Sequence, residues 1–426
     1  MARRVLFIAP ISVCGEPASG GEQRTLLIFN ALADRYAVDV MIVGAGVAAM
    51  HRKPFGRAAA IYEALHAPPS DALPLRVLHR YFPTGAADKI ASTFTPRARA
   101  YEPDSKMLAS LASVDFSAYD LIVARFLRPA ARAGAFAPGQ RTPVIVDLDD
   151  RDDLVFASRL RRNRFNPALG ALNRWHAAQA VTILRQTLPA ARHIWVVGEE
   201  DREGFDGLSI SQLPNIPFAP LPKEAAPAPA EGKTLLFVGN AGHEPNRLGA
   251  MRFLKKCWPA IVRAEPGAAL RIVGRGWERL PPGLAALSGV EVAGFVDDLG
   301  LEYRRAVFAV SPVYDGAGVK TKVIEALSHG RAVVADIHST RGVPPAVRAD
   351  CILSADGDKE MIEACLGLLR RPEEAARRGL AGRAHALASF TRERFEEIVL
   401  SDCERVLAET APAAPLPFAA KAQIAL

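Results

Sequence analysis

The sequence predicts an α/β protein built from two parallel-sheet domains, on three observations. First, short apolar strands recur, each followed by a glycine-bearing loop and a helical pattern, and the cycle starts twice, at residues 5–9 and 234–238. Strands buried on both faces of a parallel sheet read as continuous apolar runs, and strand–helix alternation marks crossover connections. Second, a proline- and alanine-rich stretch, 217–232, lies between the two starts and reads as a stiff linker. Third, 426 residues exceed one typical domain. The expected parts are domains at 1–216 and 233–390, the linker 217–232, a terminal helix at 391–410 and a loose tail at 411–426.

Composition narrows the class. The net charge of +7, from 53 basic and 46 acidic residues, suits an anionic ligand. It is mild for nucleic acid, and no aromatic–basic platform is present, so a nucleic-acid partner is not expected. The five cysteines, at 14, 257, 351, 365 and 403, show no paired metal spacing, and an odd, scattered set suggests a reducing compartment. The basic start precedes only a short apolar run, which reads as a first strand rather than a signal peptide. No run reaches the roughly 18 apolar residues of a membrane span. The expected location is the cytoplasm, soluble or peripherally attached to a membrane.

In the first half, strand 5–9 leads through a loop ending in Gly20-Gly21 to a helix at 25–33, whose stripe is Leu27, Ile28, Ala31 and Leu32. With strand 38–43 this makes a βαβ unit. The amides of Gly20 and Gly21 are placed to face an anion; a flexible connection is the alternative. Residues 48–115 mix Arg52, Lys53, Arg57, Arg76, Arg80, Arg97 and Arg99 with Phe55, Leu75, Leu78, Tyr81 and Phe82. That mixture suits anionic lipid or a lipid-linked acceptor, or else a solvated basic face. Strand 119–124 follows, then strand 143–150, ending in Asp147, Asp149 and Asp150. Open α/β sheets bind ligands beyond their carboxyl ends, so these acids can orient hydroxyls, hold a metal or act as a base. Capping the next helix is the alternative. His176 falls in the helical pattern 172–184, where a structural role is the plainer reading. Strand 193–197, a helix opening at 199–201 and the exit Leu213-Pro214-Asn215 complete this half.

The second half restarts with strand 234–238 and then Gly239-Asn240-Ala241-Gly242. A helix from about 247 carries Met251, Leu254 and Trp258 inward, with Pro259 perturbing or ending it. Strand 269–273 precedes Gly274-Arg275-Gly276, and strand 290–292 precedes Gly294. Neither glycine cluster fits the dinucleotide fingerprint, which disfavours nicotinamide and flavin cofactors. Apolar strand 306–310 then leads to Gly316-Ala317-Gly318-Val319-Lys320-Thr321-Lys322 and a helix stopping at Gly330. The glycines admit close backbone approach, the helix start suits a phosphate, and Lys320 and Lys322 add charge. Glu325, one turn in, is placed to accept hydrogen bonds from a sugar or ribose hydroxyl. An ordinary turn with solvated lysines is the alternative. Strand 332–335 and helix 362–369 follow. The last helix starts at Thr391, a suitable N-cap, and Phe395, Ile398, Val399, Val406 and Leu407 give it an apolar face to pack back across the first domain.

Taken together these features resemble a known family. The matching motifs are Gly20-Gly21-Glu22-x-Arg24, Leu213-Pro214-Asn215, Phe237-Val238-Gly239, Ile272-Val273-Gly274-x-Gly276 and Gly294-Phe295-Val296-x-Asp298. Gly316-x-Gly318-x-Lys320-x-Lys322-x-x-Glu325-Ala326, Gly330-Arg331-x-Val333-Val334 and Thr340-x-Gly342 complete the set. In this order they resemble the retaining glycosyltransferases of group 1, which have the GT-B architecture. The resemblance implies two facing Rossmann-like domains with parallel sheets, a C-terminal helix crossing back, and a cleft that closes on the substrate. It implies a nucleotide-sugar donor held mainly by the second domain, with Glu325 as the second glutamate of the family motif, on the ribose. Ala317 stands where the first glutamate would be, and Asn240 replaces the usual basic residue after the first strand of domain two. Phosphate neutralisation then falls to Lys320, Lys322 or Arg247. On this resemblance Asp147-Leu148-Asp149-Asp150 holds the place of a histidine found in many members.

The expected donor-binding set is therefore Gly20, Gly21, Gly239, Asn240, Arg247, Gly274, Gly316, Gly318, Val319, Lys320, Lys322 and Glu325. The candidate catalytic set is Asp147, Asp149, Lys320 and Lys322. Cations placed where charge develops on the leaving diphosphate lower the barrier. The resemblance implies that the leaving phosphate takes the acceptor proton, with no protein nucleophile, metal or cofactor. The expected reaction moves a hexose-type sugar from a nucleotide diphosphate to a glycan, lipid-linked or small-molecule acceptor, as in polysaccharide biosynthesis. The rivals are a sugar-nucleotide epimerase of the same fold and a catalytically silent nucleotide-sugar-binding protein, the latter suggested by Ala317 and Asn240.

Overall fold

A computed structural model of the chain describes residues 3–10, 20–44, 49–65, 96–103, 105–112, 114–149, 151–162, 166–217, 220–222, 232–314 and 321–409. The chain forms two compact units. One comprises Met1–Val196, Asp201–Leu213 and Glu396–Leu426; the other comprises Val197–Glu200 and Pro214–Phe395.

The first unit holds seven parallel strands: β1 (Arg4–Pro10), β2 (Ala37–Gly44), β3 (Ile61–Leu65), β4 (Leu121–Arg125), β5 (Val144–Leu148), β6 (His193–Val196) and β7 (Ile210–Gln212). Their order is β3-β2-β1-β4-β5-β6-β7. Val5 pairs with Val38 on one side and Leu121 on the other, so the apolar run of β1 is covered on both edges and both faces. The order reverses between β1 and β4, and a crevice opens at such a switch point beyond the strand ends. The helix Gly20–Arg35 follows β1 and starts earlier than its apolar stripe, so Gly20 and Gly21 form its first turn. Phe55 is buried and packs its ring against Phe7 and Phe29, while Arg52 and Arg57 pair with Glu63 and Asp34. This part of the basic–apolar stretch therefore belongs to the core and its ion pairs. Leu75, Arg76, Leu78, Arg80, Tyr81 and Phe82 lie outside the described residues.

The second unit holds six parallel strands: β8 (Thr234–Val238), β9 (Ala269–Val273), β10 (Val290–Gly294), β11 (Phe308–Ser311), β12 (Ala332–Asp336) and β13 (Ile352–Ala355). The order is β10-β9-β8-β11-β12-β13, which puts the switch point between β8 and β11. The helix Glu244–Lys256 buries Phe253 and Leu254 and runs close to the exit of β11: a Cβ on Gly249 would lie 2.2 Å from the Pro312 carbonyl oxygen. Trp258 opens a separate helix, Trp258–Ala264. Pro259 sits in its first turn, where a missing N–H goes unneeded; the proline starts a helix rather than disturbing one.

The helix Arg392–Ala408 closes the chain, with Thr391 Oγ1 accepting from the Arg394 amide at 3.1 Å. From Glu396 onward it belongs to the first unit. There Asp402 accepts from Trp195 Nε1 at 2.9 Å and Ser211 Oγ at 2.5 Å, tying the helix to β6 and β7. No helix among the described residues is long and apolar enough to cross a membrane.

Candidate functional site

At the switch point of the second sheet, β8 and β9 end in glycine turns that interlock. The Gly239 amide donates to the Val273 oxygen at 2.9 Å, and the Gly239 oxygen accepts from Trp277 Nε1 at 2.6 Å. Gly274 has φ +135°, and a Cβ there would lie 2.1 Å from the Gly239 oxygen, so only glycine lets these two backbones meet. Asn240 is exposed, and its Oδ1 accepts from the Gly242 amide at 2.7 Å, closing a local turn.

Lys322 reaches this turn from the helix Thr321–Ser328 that follows β11. Its ammonium lies 5.1 Å from the centre of the Phe237 ring and hydrogen-bonds Asn246 Oδ1. A Cβ on Gly239 would lie 3.3 Å from Lys322 Nζ, so the ammonium sits directly against the glycine backbone. Arg247 is exposed on the first turn of the helix Glu244–Lys256. Gly316, Gly318, Val319 and Lys320 lie outside the described residues. The structure thus brings together Gly239, Asn240, Gly274 and Lys322.

Glu325 lies one turn beyond Lys322. Its Oε2 accepts from the Tyr303 hydroxyl at 3.2 Å, and the buried Tyr303 ring stacks on His329 with centroids 4.6 Å apart. Burial pushes the Glu325 carboxyl up to about 7, against the Tyr303 hydrogen bond and the Lys322 charge, which pull it down. Burial, with Arg383 and Arg304 nearby, pushes His329 down to about 4, which keeps it neutral. The helix therefore carries an ammonium and, one turn on, a carboxyl that burial favours in its protonated form.

The first unit gathers charge at its own switch point. Arg24, in the second turn of the helix Gly20–Arg35, grips Asp147 through Nε at 2.9 Å and Nη2 at 2.6 Å, and its Nη1 donates to the Leu213 oxygen at 2.8 Å. Arg125, the last residue of β4, shares Asp147 Oδ2 with Arg24 and also donates to Asp149 Oδ2 at 3.0 Å and the Gly21 oxygen at 3.2 Å. All four ionic groups are buried, and two guanidiniums balance two carboxylates. Both oxygens of Asp147 are thereby occupied by arginine. Asp150 lies outside the described residues. The sequence reading passed over Arg125, although an arginine closing an otherwise apolar strand was its signal. Beyond the cluster a pocket of about 590 Å³ opens past β1, β2, β4 and β5; its lining includes Leu127, Leu148, Arg128 and Arg132. Tyr101 and Asp152, hydrogen-bonded at 2.8 Å, also line it.

Residues 232–371 match the family described as Glycosyl transferases group 1. The matched stretch makes up about a third of the chain. It carries both glycine turns, Asn246, Lys322 and Glu325, whereas the arginine–aspartate cluster lies outside the matched stretch. No curated protein matches the sequence. Among solved structures, sucrose-phosphate synthase from Thermosynechococcus elongatus aligns at 16% identity, covering 95% of this chain and 99% of that one, with a TM-score of 0.61. HepE from Anabaena, in complex with UDP and glucose, aligns at 14% identity over 95% and 100% of the two chains, with a TM-score of 0.56. A TarM variant from S. aureus, in complex with UDP, α-GlcNAc-glycerol and Fondaparinux, aligns at 10% identity over 95% and 99%, also with a TM-score of 0.56. At these identities the likeness concerns the fold alone: the chain has the GT-B fold of these neighbours. Asn246 and Tyr303, unlike Arg125, had no signal in the sequence reading, because each bonds a side chain from a distant element.

Proposed function

We propose that the protein is a retaining glycosyltransferase that moves a hexose-type sugar from a uridine diphosphate donor to a hydroxyl acceptor. The observation that carries this reading is the Lys322 ammonium held against Gly239 at the switch point, with the Glu325 carboxyl one turn on. Lys322 faces the diphosphate, and Glu325 accepts from the ribose hydroxyls. Uridine is favoured because the HepE and TarM structures hold UDP. The acceptor, a glycan, a lipid-linked sugar or a small molecule, is assigned to the first-unit pocket, where Arg128, Arg132 and the Tyr101–Asp152 pair offer polar anchors on apolar walls.

In the proposed reaction the bond from the anomeric carbon to the phosphate oxygen breaks, and its electrons stay on the diphosphate. The acceptor oxygen bonds the same face of the sugar, and its proton passes to the leaving phosphate oxygen. A cation such as Lys322, fixed where that charge grows, lowers the barrier without reorganising.

A panel of UDP-, ADP- and GDP-sugars, read by thermal stabilisation, tests the donor. UDP-hexoses are expected to raise the melting temperature, and UDP release is expected to require an acceptor. NMR of the product then reports the anomeric configuration. Conversion of the donor without an acceptor would indicate an epimerase, and binding with no release from any mixture a silent binding protein. No stabilisation by any nucleotide sugar would remove the reading.

A further inference from the structure

We propose that Asn246 is a positioning residue for the diphosphate site: its side-chain amide fixes the Lys322 ammonium against Gly239 without cancelling the charge. This rests on the donor reading given above. A lysine side chain is long and loses much rotamer freedom when it is held in one place. Left in solvent, its charge would be both mobile and screened. Here the side chain passes the Phe237 ring and its head bonds Asn246 Oδ1.

The amide orientation is set by chemistry. An ammonium can only donate, so the amide must turn its oxygen toward Lys322. The amide nitrogen then needs an acceptor, and Nδ2 finds the Asn240 carbonyl oxygen at 3.1 Å. Asn246 is 8% exposed, so neither bond is readily replaced by water. It sits in the first turn of the helix Glu244–Lys256, directly after Pro245. A Cβ on Gly239 would lie 3.0 Å from Asn246 Nδ2 and 3.3 Å from Lys322 Nζ, so the glycine leaves room for the pair. The residue type matters as much as the place. A carboxylate here would hold the ammonium equally well, but it would neutralise it and repel the diphosphate. A neutral acceptor takes none of that charge away. Lys322 thus supplies from another helix the charge that Asn240 lacks at the end of β8.

The test is a double-mutant cycle on Asn246 and Lys322, read by calorimetric titration. UDP, ADP and GDP are offered first, and the cycle uses the tightest of them together with its nucleoside, which carries no phosphate. Asn246→Ala is expected to weaken the diphosphate roughly tenfold and to leave nucleoside affinity unchanged. In the Lys322→Ala background the same change should have less than a twofold effect, roughly the limit for residues acting as one unit. Asn246→Asp, close to isosteric, should keep the thermal midpoint yet bind the diphosphate at least as weakly as Asn246→Ala; it also serves if the alanine variant fails to fold. Equal effects of Asn246→Ala in both backgrounds would overturn the proposal, as would unaltered diphosphate affinity in Asn246→Asp. If Lys322→Ala weakens binding and the Asn246 variants do not, this inference falls and the donor reading stands. If the unaltered protein binds none of the three diphosphates, both fall.

Discussion

Glu325 is a carboxyl group proposed to work as an acceptor in surroundings that favour its proton. Burial raises it to about 7 from an ordinary 4.5, and the Tyr303 hydroxyl and Lys322 ammonium offset only part of that rise. Because the folded value exceeds the unfolded one, the stability it contributes is complete below about 4.5 and is lost as pH rises toward 7. The proposed role on the ribose needs the ionised form, so donor affinity should move the other way. The ratio of UDP affinities, unaltered protein over Glu325→Gln, is expected to rise roughly tenfold between about pH 6 and 8, as a shift of this size permits. The titration of UDP itself cancels in the ratio, and a flat ratio would remove Glu325 from the ribose. Asp147 leads to a different kind of prediction. Its place at a strand end was legible in the sequence, and so was its charge. What no local pattern could give is that Arg24, 123 positions earlier, would occupy it together with Arg125. Asp147→Ala strands two guanidiniums in a buried site and should cost about 3–5 kcal/mol, measured as a shift of the urea midpoint. A loss of activity with unchanged stability would restore Asp147 to the chemistry.

Elements were legible where one physical signal dominated. The helix Arg392–Ala408 announced itself through the Thr391 cap and an apolar face at helical spacing. The helix Pro372–Ser389 did not, because alanine, glycine and arginine leave it no large apolar stripe. It packs by closeness instead: a Cβ on Gly379 would lie 2.1 Å from the Gly330 oxygen, and one on Gly382 would lie 2.4 Å from Leu327. The three-residue β7, half exposed, is too short for any periodicity. That edge strand nonetheless supports the terminal helix through Asp402, whose oxygens meet Ser211, Trp195, His193 and Arg405. Burial alone would raise the Asp402 carboxyl, yet hydrogen bonds from His193, Ser211 and Arg405 outweigh it and hold the group well below the usual carboxylate range. A depressed folded value means this contribution is present above the ordinary aspartate pKa, about 4, and is lost as pH falls below it. Asp402→Ala should therefore speed amide exchange across residues 396–408 at neutral pH while leaving 372–389 protected. Equal loosening of both helices would show that the Asp402 bonds do not anchor the terminal helix.

At the scale of the molecule the two sheets repeat one design. Each runs outward from a central strand, reverses at the same point of its order and places its charged residues there. The repetition was readable because both sheets open with the same strand, glycine loop and helix. The uses of the two switch points were less readable, because one is filled by paired arginine and aspartate and the other keeps an ammonium at an exposed glycine turn. Each unit has its own hydrophobic core, so each is expected to give its own unfolding transition in calorimetry. Asp147→Ala identifies the first unit by lowering its transition alone. On the proposed function UDP binds the second unit, and at a concentration about a hundred times its dissociation constant it adds about 2.7 kcal/mol to that unit. For a unit of roughly 150–250 residues this corresponds to a rise of about 5–11 °C. The transition lowered by Asp147→Ala should not move with UDP. If it is the one that moves, the nucleotide belongs to the arginine–aspartate switch point, and the assignment of Lys322 and Glu325 to the donor is wrong.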